Sequence, residues 1–317
     1  MSYYAIIEIG SHSIKCTICK YHNYAFILVT TKKVQIHLAK KLVNTFELQK
    51  TSIKKVLWAL SQFKKVQEAY RCKGTFVFAT GVVRLAKNRE VLKRKIDEQF
   101  HYKIHILSGN LEAFLGYLGV QTGKNKLEHG LILDTGGASS ELTIVSNQEA
   151  IHFKSFPYGA ITLSDRFFQE ADKSRESWQW FVQSFSRQLQ VERREINLVE
   201  FPTYLITIGG SHHFLKSIFK LDRQATIPAN DLQQKLQEYV AYDEEQLSEL
   251  KGLPKRRVPF FKGGILPLLS IIQAYSISEV IFQRTSITEG IIFALNQTHL
   301  EHINKDLFEN STHWQDV

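Results

Sequence analysis

A chain of 317 residues, 44% hydrophobic and 22% charged, has an ordinary globular balance, and at about 100–200 residues per domain it is long enough for two. Three cysteines are too few for a disulfide framework, and no run approaches the ~20 uninterrupted apolar residues of a membrane-spanning helix. The formal charge of +9 suits an anionic partner. No nucleic-acid motif accompanies it, and the basic clusters (Lys32-Lys33, Lys40-Lys41, Lys54-Lys55, Lys93-Arg94-Lys95 and Lys255-Arg256-Arg257) read mainly as solvated faces.

In chain order, residues 4–19 read as a strand, a tight turn at Gly10-Ser11-His12-Ser13 and a returning strand, with 25–30 as a third strand in an antiparallel start. Met1-Ser2-Tyr3-Tyr4 enters the first strand without the basic region and cleavage site of a leader, so a cytoplasmic location and no membrane are expected. Cys16 and Cys19 match C-x-x-C, yet three apart on a strand they face opposite ways and would not share a metal. Ile53, Val56, Leu57, Leu60, Phe63 and Val66 have helical spacing, which predicts a helix over 51–70. A buried strand over 75–80, a helix over 88–100, a strand over 103–107 and a short helix over 111–119 follow. From Gly130 the opening arrangement recurs as strand 131–134, glycine turn 135–140 and strand 141–145, an internal duplication of a strand–acid–glycine hairpin. Helices are predicted over 178–199 and 230–239, with a strand over 204–208 between them.

Five short segments carry the chemistry. Glu8-Ile9-Gly10-Ser11-His12-Ser13 and Asp134-Thr135-Gly136-Gly137-Ala138-Ser139-Ser140-Glu141 are hairpin turns whose glycines and hydroxyls can present N–H and O–H groups to phosphate oxygens. Asp134 and Glu141 bracket the second turn and could share a hard cation such as Mg²⁺. Ser108-Gly109-Asn110-Leu111-Glu112 opens a helix, with Glu112 in its first turn. Ala79-Thr80-Gly81-Val82-Val83-Arg84 ends a strand on an arginine able to bind phosphate bidentately or to pair within the fold. Ile208-Gly209-Gly210-Ser211-His212-His213 is again strand to glycine turn to helix, and its adjacent histidines project differently and make a poor metal pair.

The order of these segments resembles the phosphate-1, phosphate-2 and adenosine motifs of the actin-like ATPase superfamily, and within it the Ppx/GppA phosphatases. That family shows D-I-G-S-N-S, A-T-S-A-x-R-x-A-x-N, S-G-x-E-E-A, D-I-G-G-G-S-T-E and G-T-G-G-T in the order found here, and Phe156-Pro157-Tyr158-Gly159-Ala160 through Arg166-Phe167 is similar to its L-P-L-G segment. The resemblance implies two actin-like (ribonuclease H-like) α/β domains, each a mixed sheet flanked by helices, with an interdomain cleft. Domain I would take residues 1–122 plus a C-terminal helix over 290–304, domain II residues 123–289, and a polar tail 305–317.

It further implies an exopolyphosphatase that releases terminal orthophosphate from inorganic polyphosphate, or a guanosine-pentaphosphate (pppGpp) phosphohydrolase, and it leaves room for a homodimer. The family roles transfer residue by residue. Glu112 would activate the water and Arg84 would assist. Gly10, Ser11, His12, Ser13, Gly136, Gly137, Ala138, Ser139, Gly209 and Gly210 would hold phosphate. Asp134, Glu141 and Glu8 would hold Mg²⁺ or another divalent cation. The chain departs from the family pattern at Glu8 (usually Asp), His12 (usually Asn), His212-His213 (usually Gly-Thr) and Thr288 (usually Arg). The rival class is a catalytically weakened protein that binds polyphosphate or nucleotide as a regulator. An actin-like ATPase or sugar kinase needs no Glu112 segment.

Overall fold

The computed structural model describes residues 1–39, 42–123, 127–168, 175–196, 198, 200–222 and 225–297. Residues 298–304 of the predicted last helix, the tail 305–317, Lys40-Lys41, Lys124-Asn125-Lys126 of the predicted boundary, and residues 197 and 199 at the end of the predicted helix 178–199 lie outside them. The chain divides into two compact units, Met1–Thr122 with the chain from Ile287 onward, and Gly123–Ser286.

The first unit opens with β1 (Ser2–Ile9), β2 (Ser13–His22) and β3 (Ala25–Gln35), an antiparallel meander. Then come the short α1 (Leu42–Thr45), α2 (Lys50–Tyr70), β4 (Gly74–Ala79), α3 (Gly81–Leu85), α4 (Arg89–Phe100), β5 (Ile104–Ile106) and α5 (Gly109–Gln121). Sheet order is β3-β2-β1-β4-β5, with β4 parallel to β1 and β5 parallel to β4. Strand alternation splits β1 between two layers. Tyr4 and Ile6 join Phe76, Phe78 and Leu115 in one cluster, which leaves Ala5, Ile7 and Ile9, all buried, to the face on which α2 packs. Cys19 belongs to that cluster, whereas Cys16 lies beside Ile7. The two thiols therefore sit on opposite faces, each pushed up to about 12 by burial.

The second unit repeats the plan. Its meander is β6 (Gly130–Thr135), β7 (Ser140–Ser146) and β8 (Glu149–Phe156). After it come α6 (Ala160–Phe167), α7 (Arg175–Glu195), β9 (Tyr204–Ile208), α8 (Leu215–Ile218), β10 (Thr226–Pro228), α9 (Ala229–Ala241), α10 (Glu244–Glu249), α11 (Val258–Tyr275) and β11 (Glu279–Phe282). Sheet order is β10-β11-β9-β6-β7-β8, so a meander followed by two parallel strands occurs in both units. The hairpin duplication read in the sequence is thus a duplication of topology.

Helix α11 packs on α6, α7 and α9 as the centre of this unit's core. Residues 255–275 form, among the described residues, the one helix long and apolar enough to cross a membrane by length and composition, and most of it is buried in the core. Its apolar run is continuous because nearly every side of the helix meets a neighbour.

Some elements differ from the sequence expectation. Strand β3 continues past residue 30 to Gln35, since at a sheet edge Lys32 and Lys33 can stay exposed while their backbone pairs. The segment read as a strand end followed by an arginine passes at Gly81 into the five-residue helix α3, which includes Arg84. A turn intervenes between Gly210 and α8 where a direct entry into helix was expected.

The last described helix, α12 (Ile287–Asn296), returns to the first unit, where Ile287, Ile291 and Ile292 enter the cluster around Leu115. Burial of an isoleucine is worth roughly 1.5–3 kcal/mol. The approach is close enough that a Cβ on Gly290 would collide with the Leu115 carbonyl. Helix α12 thereby fixes α5 within one turn of Glu112.

Candidate functional site

The two hairpin turns are built alike. In the first unit Gly10 N–H donates to Ser13 O at 3.1 Å, and in the second Gly136 N–H donates to Ser139 O at 2.9 Å. Each glycine sits over that carbonyl, where a Cβ would come within 3.1 and 3.3 Å of the oxygen. Register then places Glu8 opposite Lys15 in the first hairpin and Asp134 opposite Glu141 in the second. Residues directly opposite on antiparallel strands share a face, so the first hairpin pairs an acid with a base and the second pairs two acids.

In the first hairpin Lys15 Nζ donates to Glu8 Oε1 at 3.1 Å and Oε2 at 2.9 Å, and Thr288 Oγ1 donates to Oε2 at 3.1 Å. Glu8 therefore carries a cation of its own, and Thr288 adds a neutral donor. Ser11, His12 and Ser13 are buried. The His12 carbonyl accepts from Ile36 and His37 N–H and the Ser11 carbonyl from Ala39 N–H, so the turn rests on segment 36–39. The imidazoles of His12 and His37 meet edge to face at 4.4 Å.

The second turn is shaped by α6. Ala160 N–H donates to the Gly136 carbonyl, and Ile161 and Thr162 N–H donate to that of Gly137. A Cβ on Gly159 would overlap the backbone of Gly137 and Ala138, so the helix start and the loop touch backbone to backbone. With the carbonyls held this way, the N–H groups of Gly137 and Ala138 have no acceptor among the described residues. Two adjacent donors of this kind, with buried Ser139 next in line, are available to an anion. Ser140 Oγ donates to the Tyr158 carbonyl and ties the loop to the chain before α6.

Beside it, Glu141 is buried and its Oε1 accepts from Ser155 Oγ on β8 at 2.8 Å. Asp134 lies against Gly209, whose φ of +82° and closeness to Asp134 Oδ1 both exclude a side chain. Among the described residues no three His, Cys, Asp or Glu side chains converge as a metal ligand set. Mg²⁺ needs no such cage: it is commonly held by one or two carboxylates and completes its shell with water and phosphate oxygens. The cross-strand pair Asp134 and Glu141 fits that pattern.

Gly210 leads to a residue that sequence reasoning passed over. A Cβ there would stand 2.9 Å from Arg257 Nη2. Arg257, assigned above to a solvated basic cluster, is half-buried. Burial, with help from the Arg256 charge, pulls its pKa down to about 10. No carboxylate pairs with it among the described residues. A cation kept from solvent beside a glycine turn is suited to an anion; the only signal in sequence was its place in a run of three bases. The neighbouring histidines diverge. His212 is fully buried and bonded through Nε2 to Gly264 O at 2.9 Å, and burial drops its pKa to about 4. His213 is exposed. His212 is a neutral pin between the turn and α11.

Arg84 and Glu112, 28 residues apart, come together in the first unit. Helix α5 starts at Gly109 because Ser108 Oγ accepts from Leu111 N–H, which puts Glu112 in the first turn. Arg84 Nη1 donates to Glu112 Oε2 at 2.6 Å and to Leu107 O at 2.9 Å. Burial raises the Glu112 pKa, opposed by Arg84 and by a Gly81 N–H bond and reinforced by the charge of Glu8. A buried carboxylate of raised basicity, oriented by a guanidinium, can accept a proton from water.

Two sheets of this topology, each opening on a strand–acid–glycine hairpin, define an actin-like two-domain α/β protein. The chain belongs to the Ppx/GppA phosphatase family, whose model matches residues 17–299. A guanosine-5'-triphosphate,3'-diphosphate pyrophosphatase of Pseudoalteromonas translucida is 22% identical over 303 residues, 95% of this chain and 61% of the relative. The chain thus spans about three fifths of that protein. A Haemophilus influenzae relative provisionally named an exopolyphosphatase is 24% identical over 298 residues, 92% of this chain and 91% of the relative. Among solved structures, an exopolyphosphatase of Cytophaga hutchinsonii matches at TM-score 0.80 and 20% identity, over 93% of this chain and 98% of that one. The Aquifex aeolicus family member matches at 0.73 and 20%, over 92% and 97%. At such identities the solved structures speak for the fold.

Proposed function

We propose that the protein is a phosphohydrolase that releases terminal orthophosphate from inorganic polyphosphate. The observation that carries this reading is the Glu112 carboxylate, buried, raised in basicity and held at one oxygen by Arg84. In the step envisaged, a water oxygen attacks the terminal phosphorus, the bond to the bridging oxygen breaks with its electron pair leaving on the shortened chain, and the water proton passes to Glu112. In the second unit the Gly137 and Ala138 N–H groups and Arg257 are suited to phosphate oxygens, and in the first unit the Gly10–Ser13 turn is suited to phosphate as well. Asp134 and Glu141 would hold the divalent cation, which when bound neutralises phosphate charge. Glu8, already paired with Lys15, is better suited to shaping the field at Glu112 than to ligating metal.

A pppGpp phosphohydrolase is the second reading, favoured by the name of the Pseudoalteromonas translucida relative. A cytoplasmic setting agrees with three cysteines kept as free thiols. Phosphate release measured from polyphosphate, pppGpp and ATP with Mg²⁺ tests the proposal. Polyphosphate should be cut fastest, and Glu112→Gln should lower turnover ~10²–10⁴-fold. Near-normal turnover in Glu112→Gln would remove the assigned base. Tight binding of polyphosphate without any release would make the protein a regulator.

A further inference from the structure

Helix α2 carries five exposed lysines, Lys50, Lys54, Lys55, Lys64 and Lys65, against one acid, Glu68. That excess, five minus one, is four charges of the chain's +9. None of the five has an ion-pair partner among the described residues. The contrast with α4 is direct, since there Arg89, Lys93 and Arg94 pair with Glu90 and Glu98. Residues 50, 54, 58, 61 and 65 fall on one helical face, so Lys50, Lys54 and Lys65 form a stripe with Trp58, 56% exposed, in its middle. Lys55 and Lys64 flank it. The stripe runs roughly 22 Å at 1.5 Å per residue. The opposite face, Ile53, Val56, Leu60 and Phe63, is buried in the fold and cannot enter a membrane.

Topology directs the stripe. Gln35 at the end of β3 pairs with Ser13, and segment 36–39 is bonded to Ser11 and His12. At its other end α2 leads to Lys73, bonded to Tyr3, and to Gly74 opposite Tyr4, at the far end of the sheet. The lysines therefore begin at the edge of the unit that holds the Gly10–Ser13 turn and lead away from it.

We propose that this face of α2 is a docking track for the distal part of a linear phosphate polymer whose end occupies the candidate site, an inference that rests on the polyphosphate reading above. Ammonium groups spaced along a helix match an anion of uniform repeating charge. A single-stranded nucleic acid would call for several stacking platforms, and this face offers Trp58 alone. The track makes affinity depend on chain length.

The test is equilibrium binding of long-chain polyphosphate and of tripolyphosphate, with Glu112→Gln carried in every protein so that the ligand is not consumed. The readout is independent of turnover, so absence of hydrolysis would fail the functional reading without deciding this one. The variant is Lys54→Gln/Lys55→Gln/Lys64→Gln/Lys65→Gln. Its charge-matched control is Lys154→Gln/Lys220→Gln/Lys235→Gln/Lys251→Gln, all exposed in the second unit. At a few tenths of a kcal/mol per exposed charge pair, the α2 variant should lose on the order of tenfold in long-chain affinity. Tripolyphosphate binding should be unchanged, and the control should lose less. Equal loss in both quadruple variants would reduce the effect to net charge and overturn the track. So would unchanged long-chain binding, or single-stranded RNA binding this face more tightly than polyphosphate does.

Discussion

Replacing Arg84 with methionine would leave the Glu112 carboxylate in place with its guanidinium removed. The contact is close, 2.6 Å, and the two side chains are 21% and 7% exposed, so water can take up little of the loss. Stripping one partner from a buried pair costs roughly 3–5 kcal/mol. The lower end applies here, because Gly81 N–H still donates to Glu112. The pH dependence has a definite sign. Burial already lifts the Glu112 pKa above its ordinary 4.5 with Arg84 present, and without Arg84 it rises further. Protonated Glu112 is neutral and needs no counter-ion. The deficit of the variant is therefore full above its Glu112 pKa and shrinks as pH falls through that value, by up to about 1.4 kcal/mol per unit. Urea unfolding of both proteins at one alkaline and one acidic pH should give a deficit near 3 kcal/mol at the higher pH and a smaller one at the lower. The acid limb of kcat/KM should move to higher pH in the variant. A deficit equal at both pH values would refute the reasoning, because lost packing of the arginine stem does not titrate.

Asp134→Asn should weaken Mn²⁺ binding followed by calorimetry and lower turnover with it, whereas Glu8→Gln, whose carboxylate is already bonded to Lys15, should leave Mn²⁺ affinity unchanged. Gly159→Ala places a methyl group into the Gly137–Ala138 backbone. A loss of roughly 1–3 kcal/mol is expected, seen as a lower Tm, together with weaker phosphate binding measured by competition. His212 is buried with its pKa near 4, below the 6.5 it recovers on unfolding, so its neutral form is native and stability is lost as pH falls from 6.5 towards 4. Up to roughly 3 kcal/mol is at stake, and His212→Leu should flatten that part of the stability–pH curve relative to the unmodified protein.

Local sequence determined much of this protein. The two hairpins were legible because a glycine turn between alternating strands has few alternatives, and their repetition announced a duplicated topology. Helix α5 was expected from Leu111 but begins at Gly109, because the Ser108 cap adds the turn before it. Helix α11 was hidden: a helix buried on all sides lacks the periodicity by which an amphipathic one is recognised.

The partners of the charged residues were decided by tertiary structure alone. Spacing alone does not reveal that Glu8 meets Lys15 and Thr288, 280 residues away, or that Arg84 turns to Glu112. Lys54-Lys55 and Arg256-Arg257 look alike as pairs of bases. Yet the first pair stands exposed on a helix, while Arg257 is drawn partly out of solvent beside Gly210. The physical reason is range. Turns and caps are set by atoms within a few residues of one another, whereas the state of a charge depends on what the fold removes from water around it and on which distant group it brings within about 3 Å.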